Sequence, residues 1–160
     1  MTINKLIDVF EYKNGELFWK INVGNKKIGD RAGTKTFLGY IKVTYLKKSY
    51  LVHRIIFAIQ NGFMPEFIDH VDGNPSNNLI SNLREATKKQ NGYNRKLNLN
   101  NKSGIKGIAW HKKSKKWQVS IKVDGKQKYL GCYKSIEIAK NVMELSRIEH
   151  HKNFARFVWI

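Results

Sequence analysis

The chain is nearly without cysteine, short of proline and short of acid. Cys132 is the only cysteine among 160 residues, so neither a disulfide framework nor a cysteine-rich zinc site can form, and a lone thiol suits a reducing compartment. No apolar run approaches the roughly 18 residues of a membrane span. The opening MTINKLIDVF carries Asp8 and has no basic stretch followed by an apolar one, so no signal peptide is expected, and the protein reads as soluble and cytoplasmic. Asp and Glu number 12 against 30 Lys and Arg, a formal charge of +18. That excess calls for a polyanionic partner, because Lys and Arg laid along phosphates release condensed counterions. Nucleic acid leads and an anionic membrane is a distant second. With 41% hydrophobic and 12% aromatic residues the chain is expected to fold as one or two small domains.

The charge is uneven. Residues 1–99 hold 16 basic and 8 acidic side chains, net +8, while the shorter 100–160 holds 14 and 4, net +10. Between the two lies a polar, turn-prone stretch from Arg95 and Lys96 to Gly104, read as an exposed linker over 95–103 that could follow a DNA backbone. An ordinary surface loop is the blander reading. In the first part Leu6, Ile7 and Phe10 mark a short amphipathic helix, and Glu16 to Ile21 a strand entered from the Asn14-Gly15 turn. Gly39 to Tyr45 alternates as a half-buried strand, and Lys47-Lys48 turns it into Tyr50-Leu51. Val52 to Asn61 has apolar residues at helical spacing, stopped by Gly62 and Pro65.

Residues 67–91, FIDHVDGNPSNNLISNLREATKKQN, carry the chemistry. Phe67, Ile68 and Val71 suit a short strand, Asn74 to Asn78 a loop, Leu83 to Thr87 a second strand, and Thr87 the cap of a following helix. Two strands and a helix in this span would gather Asp69, His70 and Asn91 at one concavity. A carboxylate and an amide oxygen suit a hard cation, and an imidazole beside them can accept a proton.

This stretch resembles the HNH nucleases, and within them the phage-type homing endonucleases. The resemblance rests on Asp69-His70, Asn82 and Asn91, extends upstream through Val52-His53-Arg54 and the DHVDGN…NN…NLR string, and covers most of residues 39–94. It implies that His70 is the general base, that Asp69 and Asn91 are metal ligands, and that Asn82 braces the loop and orients His70. Asn91 stands where the family often has His, which favours one magnesium or manganese ion per site over zinc. The implied reaction is phosphodiester hydrolysis leaving a 5′-phosphate and a 3′-hydroxyl, in a bacterial or phage-infected host cell.

Blander roles stand beside these. Taken singly, Asp69 is a turn cap and Asn82 a loop brace, and Asp72 and Asn74 read as turn formers. His53, on a helical pattern, reads as a buried or capping histidine before it reads as an active-site group. Arg54, Arg84, Lys88 and Lys89 are candidate phosphate clamps, although an exposed charge is by default only solvated. His150-His151 reads as compensation of a helix C-terminus, not as a metal site.

Residues 105–133 show three short strand patterns, with Asp124-Gly125 as a hairpin turn. Ser135 caps a helix whose apolar positions 138, 139, 142, 143 and 145 are expected to form one buried stripe. Trp117, Val119, Ile121 and Val123 should face that helix, leaving Gln118, Ser120 and Lys122 outward. GIKGIAW, KKWQVSI, DGKQKYLGCY and the helix with Ala139 resemble the APETALA-two DNA-binding domain over about residues 104–157. The resemblance implies a groove-facing set of Lys106, His111, Gln118, Ser120, Lys122, Gln127 and Tyr129, with Lys113 and Lys115 beside them. None of these is an arginine, which favours phosphate contact over sharp base readout.

The expectation is therefore an α+β protein. An HNH module of the ββα-metal type with an N-terminal extension (1–94) precedes a linker (95–103) and a three-stranded antiparallel sheet packed on one helix (104–160). It should be a site-specific endonuclease of homing type acting on double-stranded DNA. No membrane or small-molecule substrate is expected. A single site, and no visible dimer surface once Val142, Met143 and Leu145 are assigned to the core, point to a monomer that nicks one strand. The rival is a DNA-binding regulator whose nuclease site no longer cuts. An RNA-binding module is disfavoured by the absence of RRM-type and KH-type motifs.

Overall fold

A computed structural model describes residues 3–93, 97 and 100–155. The chain forms two compact units, Met1–Thr87 and Lys88–Ile160. The architecture is mixed α and β, with four small antiparallel sheets among the described residues.

In the first unit α1 (Ile3–Val9) runs directly into β1 (Phe10–Lys13), which pairs with β2 (Glu16–Trp19), and β3 (Arg31–Ala32) completes that sheet. Phe10, expected on the helix, is the first residue of β1 and is buried, whereas Ile7 is exposed. Asn14 and Gly15 both have positive φ, 47° and 84°, the backbone a two-residue hairpin needs to match strand twist. A second sheet holds β4 (Thr34–Lys35), β5 (Ile41–Tyr45) and β6 (Lys48–Leu51). Its turn at Leu46-Lys47 also takes positive φ, 47° and 61°, with side chains that pay a steric cost there.

Helix α2 (Val52–Asn61) buries Val52, His53, Ile55, Ile56, Phe57 and Ala58. It ends where Gly62, at φ 76°, donates its N–H to the Ala58 carbonyl. Around it gather Leu6, Leu17, Val43 and a cluster of Phe10, Trp19 and Tyr45 with ring centroids 4.8 to 6.2 Å apart. Strands β7 (Phe67–His70) and β8 (Leu83–Ala86) form the remaining sheet of this unit and contribute Ile68 and Leu83 to the same core.

The second unit opens with α3 (Lys88–Tyr93), so the helix carrying Asn91 lies in this unit. Strands β9 (Ile108–His111), β10 (Lys116–Val123) and β11 (Lys126–Tyr133) follow, with β10 central, and then α4 (Ile136–His151). Asp124 and Gly125 make the expected hairpin turn at φ 52° and 81°. Ser135 Oγ caps α4 by accepting from the Glu137 and Ile138 N–H groups at 3.1 and 3.3 Å. Ile108, Val119, Ile121, Ala139 and Met143 form the core. A bulge leaves Leu130 unpaired between the Val119–Gly131 and Ser120–Tyr129 pairs and turns it toward that core.

Two expectations are corrected here. Helix α4 buries Ala139, Met143, Ser146, Arg147 and His151, whereas Ile138 and Leu145 are 53% and 67% exposed. Two polar residues of the inner face reach backbone acceptors, Arg147 the carbonyl of Lys106 and His151 that of Lys122, while the Ser146 hydroxyl is buried without a partner. The linker is also not wholly exposed. Asn101 Nδ2 donates to the Ile105 carbonyl at 3.1 Å, and Ser103 Oγ lies 2.7 Å from the Ile108 carbonyl, tying this stretch to the start of β9.

Candidate active site

The β7–β8 ladder sets the site. Its register puts Asp69 opposite Arg84 and His70 opposite Leu83. Asp69 and His70 are consecutive residues at the end of a four-residue strand, and both are buried, 4% and 6% exposed. Arg84 grips the Asp69 carboxylate through one oxygen, with Nε and Nη2 at 2.9 and 2.6 Å from Oδ2. The guanidinium thus forms an internal charge-assisted pair with a buried carboxylate, a strong arrangement for such a group.

The loop from Val71 to Asn82 is cross-braced from within. Asn82 Nδ2 donates to Asp72 Oδ1 at 3.0 Å and to the Asn77 carbonyl at 2.8 Å, and its Oδ1 accepts from the Asp72 N–H at 3.0 Å. Asp72 also accepts from the Asn74 N–H and from Asn77 Nδ2, both at 2.7 Å. Burial pushes the Asp72 carboxyl up, but the hydrogen bonds from Asn74, Asn77 and Asn82 outweigh it and hold it below its ordinary value. Ser76 Oγ pins the loop to the Gly39 carbonyl at 2.6 Å, and the Tyr12 hydroxyl accepts from the Ile80 N–H at 3.1 Å.

Asn82 braces the loop through these contacts, and none of them is to His70. The His70 imidazole donates instead to Asn78, whose Oδ1 lies 3.0 Å from Nε2 and whose side chain is 2% exposed. An amide oxygen only accepts, so in the neutral ring Nε2 carries the proton and Nδ1 the lone pair. In the sequence Asn78 belongs to the loop and to the NN of the DHVDGN…NN…NLR string, with no role of its own marked. Its only signal was an apolar-free NPSNN run too polar to be buried without partners.

A second histidine lies against the first. His53, on the first turn of α2, sets its ring edge to face with His70, centroids 5.0 Å apart at 80°, and Tyr40 lies 5.5 Å from His53 and 6.1 Å from His70. Burial, then the neighbouring His70 and Arg54, lower the His53 pKa to about 3. Its Nδ1 is buried without a hydrogen-bond partner.

The remaining candidates scatter. Arg54 donates to the carbonyls of Glu66 and Pro65 at 3.0 and 2.8 Å, which makes it a strap on the turn before β7. Lys88 is exposed, and Lys89 pairs with Asp124 at 2.6 Å. Lys106 is half-buried and reaches the Gly92 and Tyr93 carbonyls. His111 Nδ1 meets Ser114 Oγ at 2.8 Å in the turn after β9, where Lys113 and Lys115 are exposed. Gln127 Nε2 donates to Ser120 Oγ at 2.6 Å, Lys122 and Tyr129 are exposed, and Gln118 is half-buried. Arg95 and Lys96 lie outside the described residues. His151 stacks on Tyr93 at 3.8 Å and 9°, while His150 Nε2 lies 3.1 Å from Lys128 Nζ. Asn91 is half-buried on α3. Among the described residues no three His, Cys, Asp or Glu side chains are grouped to hold a metal, and no helix is long and apolar enough to cross a membrane.

Residues 50–93, from β6 to the end of α3, match the family model described as HNH endonuclease. Over 107 residues, 66% of this chain and 88% of the relative, the sequence is 36% identical to Protein 3.8 of Escherichia phage T7. The chain belongs to the same family as Protein 3.8. It is also 39% identical over 70 residues to the Uncharacterized HNH endonuclease L560 of Acanthamoeba polyphaga mimivirus, covering 42% of this chain and 37% of that relative. No solved structure matches. The matched span takes in β7, which carries Asp69 and His70, its partner strand β8, and α2, which carries His53, and it supports a nuclease, a hydrolase acting on DNA. The match ends at Tyr93, and β9 to β11 with α4 fall beyond it.

Proposed function

We propose that this protein is a site-specific, metal-dependent DNA endonuclease of homing type that nicks one strand, with His70 as its general base. The observation that carries the reading is the buried Asp69-His70 pair at the end of β7, with Asn78 on His70 Nε2, inside the span matched by the HNH model. Asn78 fixes the tautomer that leaves a lone pair on Nδ1, the state a base needs. His70 takes a proton from water as the water oxygen bonds to phosphorus and the bond to the 3′ oxygen breaks, leaving a 5′-phosphate and a 3′-hydroxyl.

The donor set is oxygen-based, the Asp69 carboxylate and the Asn91 amide. Two such ligands fit a hard cation that keeps several waters and takes the rest of its shell from phosphate oxygens, as magnesium or manganese does. Bound there, one ion would neutralise charge on the phosphate and the leaving oxygen. Arg84 keeps Asp69 aimed, and Asn82 holds the loop that carries Asn78.

The second unit is proposed as a DNA-binding domain of APETALA-two type. Support comes from its three-stranded sheet, from α4 capped by Ser135, and from the exposed Lys113, Lys115, Lys122 and Tyr129. The domains are proposed to be 1–94 and 104–160.

The deciding experiment is a supercoiled-plasmid nicking assay with and without magnesium. Nicking that requires the ion and disappears in His70→Ala, with DNA binding retained, is the expected result. Normal cutting by His70→Ala would falsify the assignment of the base, and binding without any cutting by the parent would point to a regulator. Asp69→Ala and Asn91→Ala should each move the metal titration to higher concentration. Curves that overlay the parent's would remove them as ligands.

A further inference from the structure

The second unit holds a groove of about 880 Å³ that the nuclease chemistry does not use. Helix α3 supplies one wall, and β10, the Asp124-Gly125 hairpin and the inner face of α4 supply the others. Its lining includes Lys88, Lys89, Lys106, Lys122 and Arg147 against a single carboxylate, Asp124. That carboxylate is already matched by Lys89 at 2.6 Å. The other acids of residues 88–160 are Glu137, Glu144 and Glu149, all on α4 and none in the lining. Three of the unit's four acids thus lie on α4 outside the lining, while five basic side chains line the groove.

The walls are fastened to one another. Lys106 Nζ donates to the carbonyls at the end of α3, Gly92 and Tyr93, at 3.1 and 3.2 Å. The Tyr93 ring stacks on His151, whose Nε2 lies 3.1 Å from the Lys122 carbonyl on β10. Arg147 is 4% exposed, and burial lowers its pKa to about 10. The space is of the size that holds ligands of many atoms, too large for a lone phosphate ion and suited to a run of linked ones.

We propose that this groove binds the phosphodiester backbone of DNA. The proposal deepens the nuclease reading, on which it rests for the choice of DNA as the polyanion. It also gives α3 two tasks, since the helix that carries the candidate ligand Asn91 also presents Lys88 and Lys89 to the bound strand.

The test uses the full chain carrying His70→Ala, so that DNA stays intact, and a fluorescein-labelled duplex of random sequence. Lys88→Gln with Lys122→Gln removes one exposed charge from each of two walls. Lys134→Gln with Lys140→Gln removes the same charge from exposed positions outside the lining. All four side chains are exposed, and unfolding midpoints are compared to confirm that both pairs fold. The groove pair should lose about tenfold or more in affinity near 0.1 M salt, and its log–log salt slope should shrink by about 2, one per lysine. The control pair should change affinity less than about twofold. Equal losses in the two pairs, or none in the groove pair, would overturn the proposal. An RNA of the same sequence that binds more tightly than the duplex, with the same dependence on the groove pair, would also overturn the assignment to DNA. Plasmid nicking by the parent is scored separately, so a chain that binds through the groove but never nicks would sink the nuclease reading and leave the groove standing.

Discussion

His53 shows what a single buried residue can control. A neutral imidazole at 5% exposure fills the space beside His70, and its pKa near 3 means it stays neutral in the fold while the unfolded chain protonates near 6.5. A group with a depressed folded pKa contributes stability that is present above its unfolded pKa and lost as pH falls toward the folded one. Stability should therefore decline by roughly 1 kcal/mol per pH unit below about 6.5, continuing toward 3. Tyr40, His70 and Arg54 are the groups described around it, and His70 and Arg54 deepen the effect. Thermal unfolding between pH 7 and pH 5 should show a steeper fall for the parent than for His53→Gln, which has no proton to gain; parallel curves would count against it. Asn78 makes a complementary case. Asn78→Ala leaves the His70 Nε2–H buried without its acceptor, a cost of about 1–3 kcal/mol. It should lower kcat for nicking with little change in DNA affinity, and an unchanged kcat would remove Asn78 from the orientation of the base. Asp69 and His70 were legible in the sequence because an adjacent acid and imidazole closing a short strand form a recognisable pattern. Asn78 was not, because NPSNN offers three asparagines, and which one turns inward depends on where Ser76 and Asn82 anchor the loop.

At the scale of elements, local chemistry and tertiary packing divide the credit. Hairpins at Asn14-Gly15 and Asp124-Gly125 follow from residues that tolerate positive φ, and α2 runs over the expected Val52–Asn61. The orientation of α4 did not follow. Hydropathy ranks Ile138 and Leu145 above Arg147 and His151, yet the latter two are buried, because the carbonyls of Lys106 and Lys122 need donors and the small Ala139 lets the helix approach. Phe10 was misplaced for a related reason, since the helix gives way to β1 with no punctuating Gly or Pro between them. Gly107 is a point where an element depends on one residue. Its φ is 87°, its carbonyl accepts the Ser120 N–H at 2.9 Å, and an added Cβ would lie 2.5 Å from the Ser120 carbonyl oxygen. Gly107→Ala should destabilise the second unit by about 2 kcal/mol or more, a left-handed backbone cost plus a backbone clash. A calorimetric unfolding transition within a degree of the parent's would show that β10 gives way freely.

The whole molecule joins one candidate site to a large excess of positive charge, and the number of strands it cuts follows from that count. One chain carries one Asp69, His70 and Asn91, and one general base acts on one phosphate at a time. A duplex has antiparallel strands, so concerted cutting requires two chains related by a twofold axis through a self-complementary surface. The sequence alone offered no such surface, since it assigned Leu145 to the core. The structure reopens the question, because Ile138, Leu145 and Ile148 are 53%, 67% and 57% exposed and share one side of α4 at helical spacing. Three side chains make a small patch beside the area a stable dimer buries. Glu137, Glu144 and Glu149 lie on the same helix, and two copies meeting antiparallel along this stripe would bring those carboxylates toward one another. The +18 formal charge further opposes self-association away from DNA. The chain is therefore expected to act as a monomer. On supercoiled plasmid at low enzyme, open circles should accumulate well before linear product, and Leu145→Lys should leave both the nicking rate and the monomeric mass in solution unchanged. Linear DNA appearing directly, together with a dimeric mass that Leu145→Lys splits, would instead make the α4 stripe the surface that pairs two active sites.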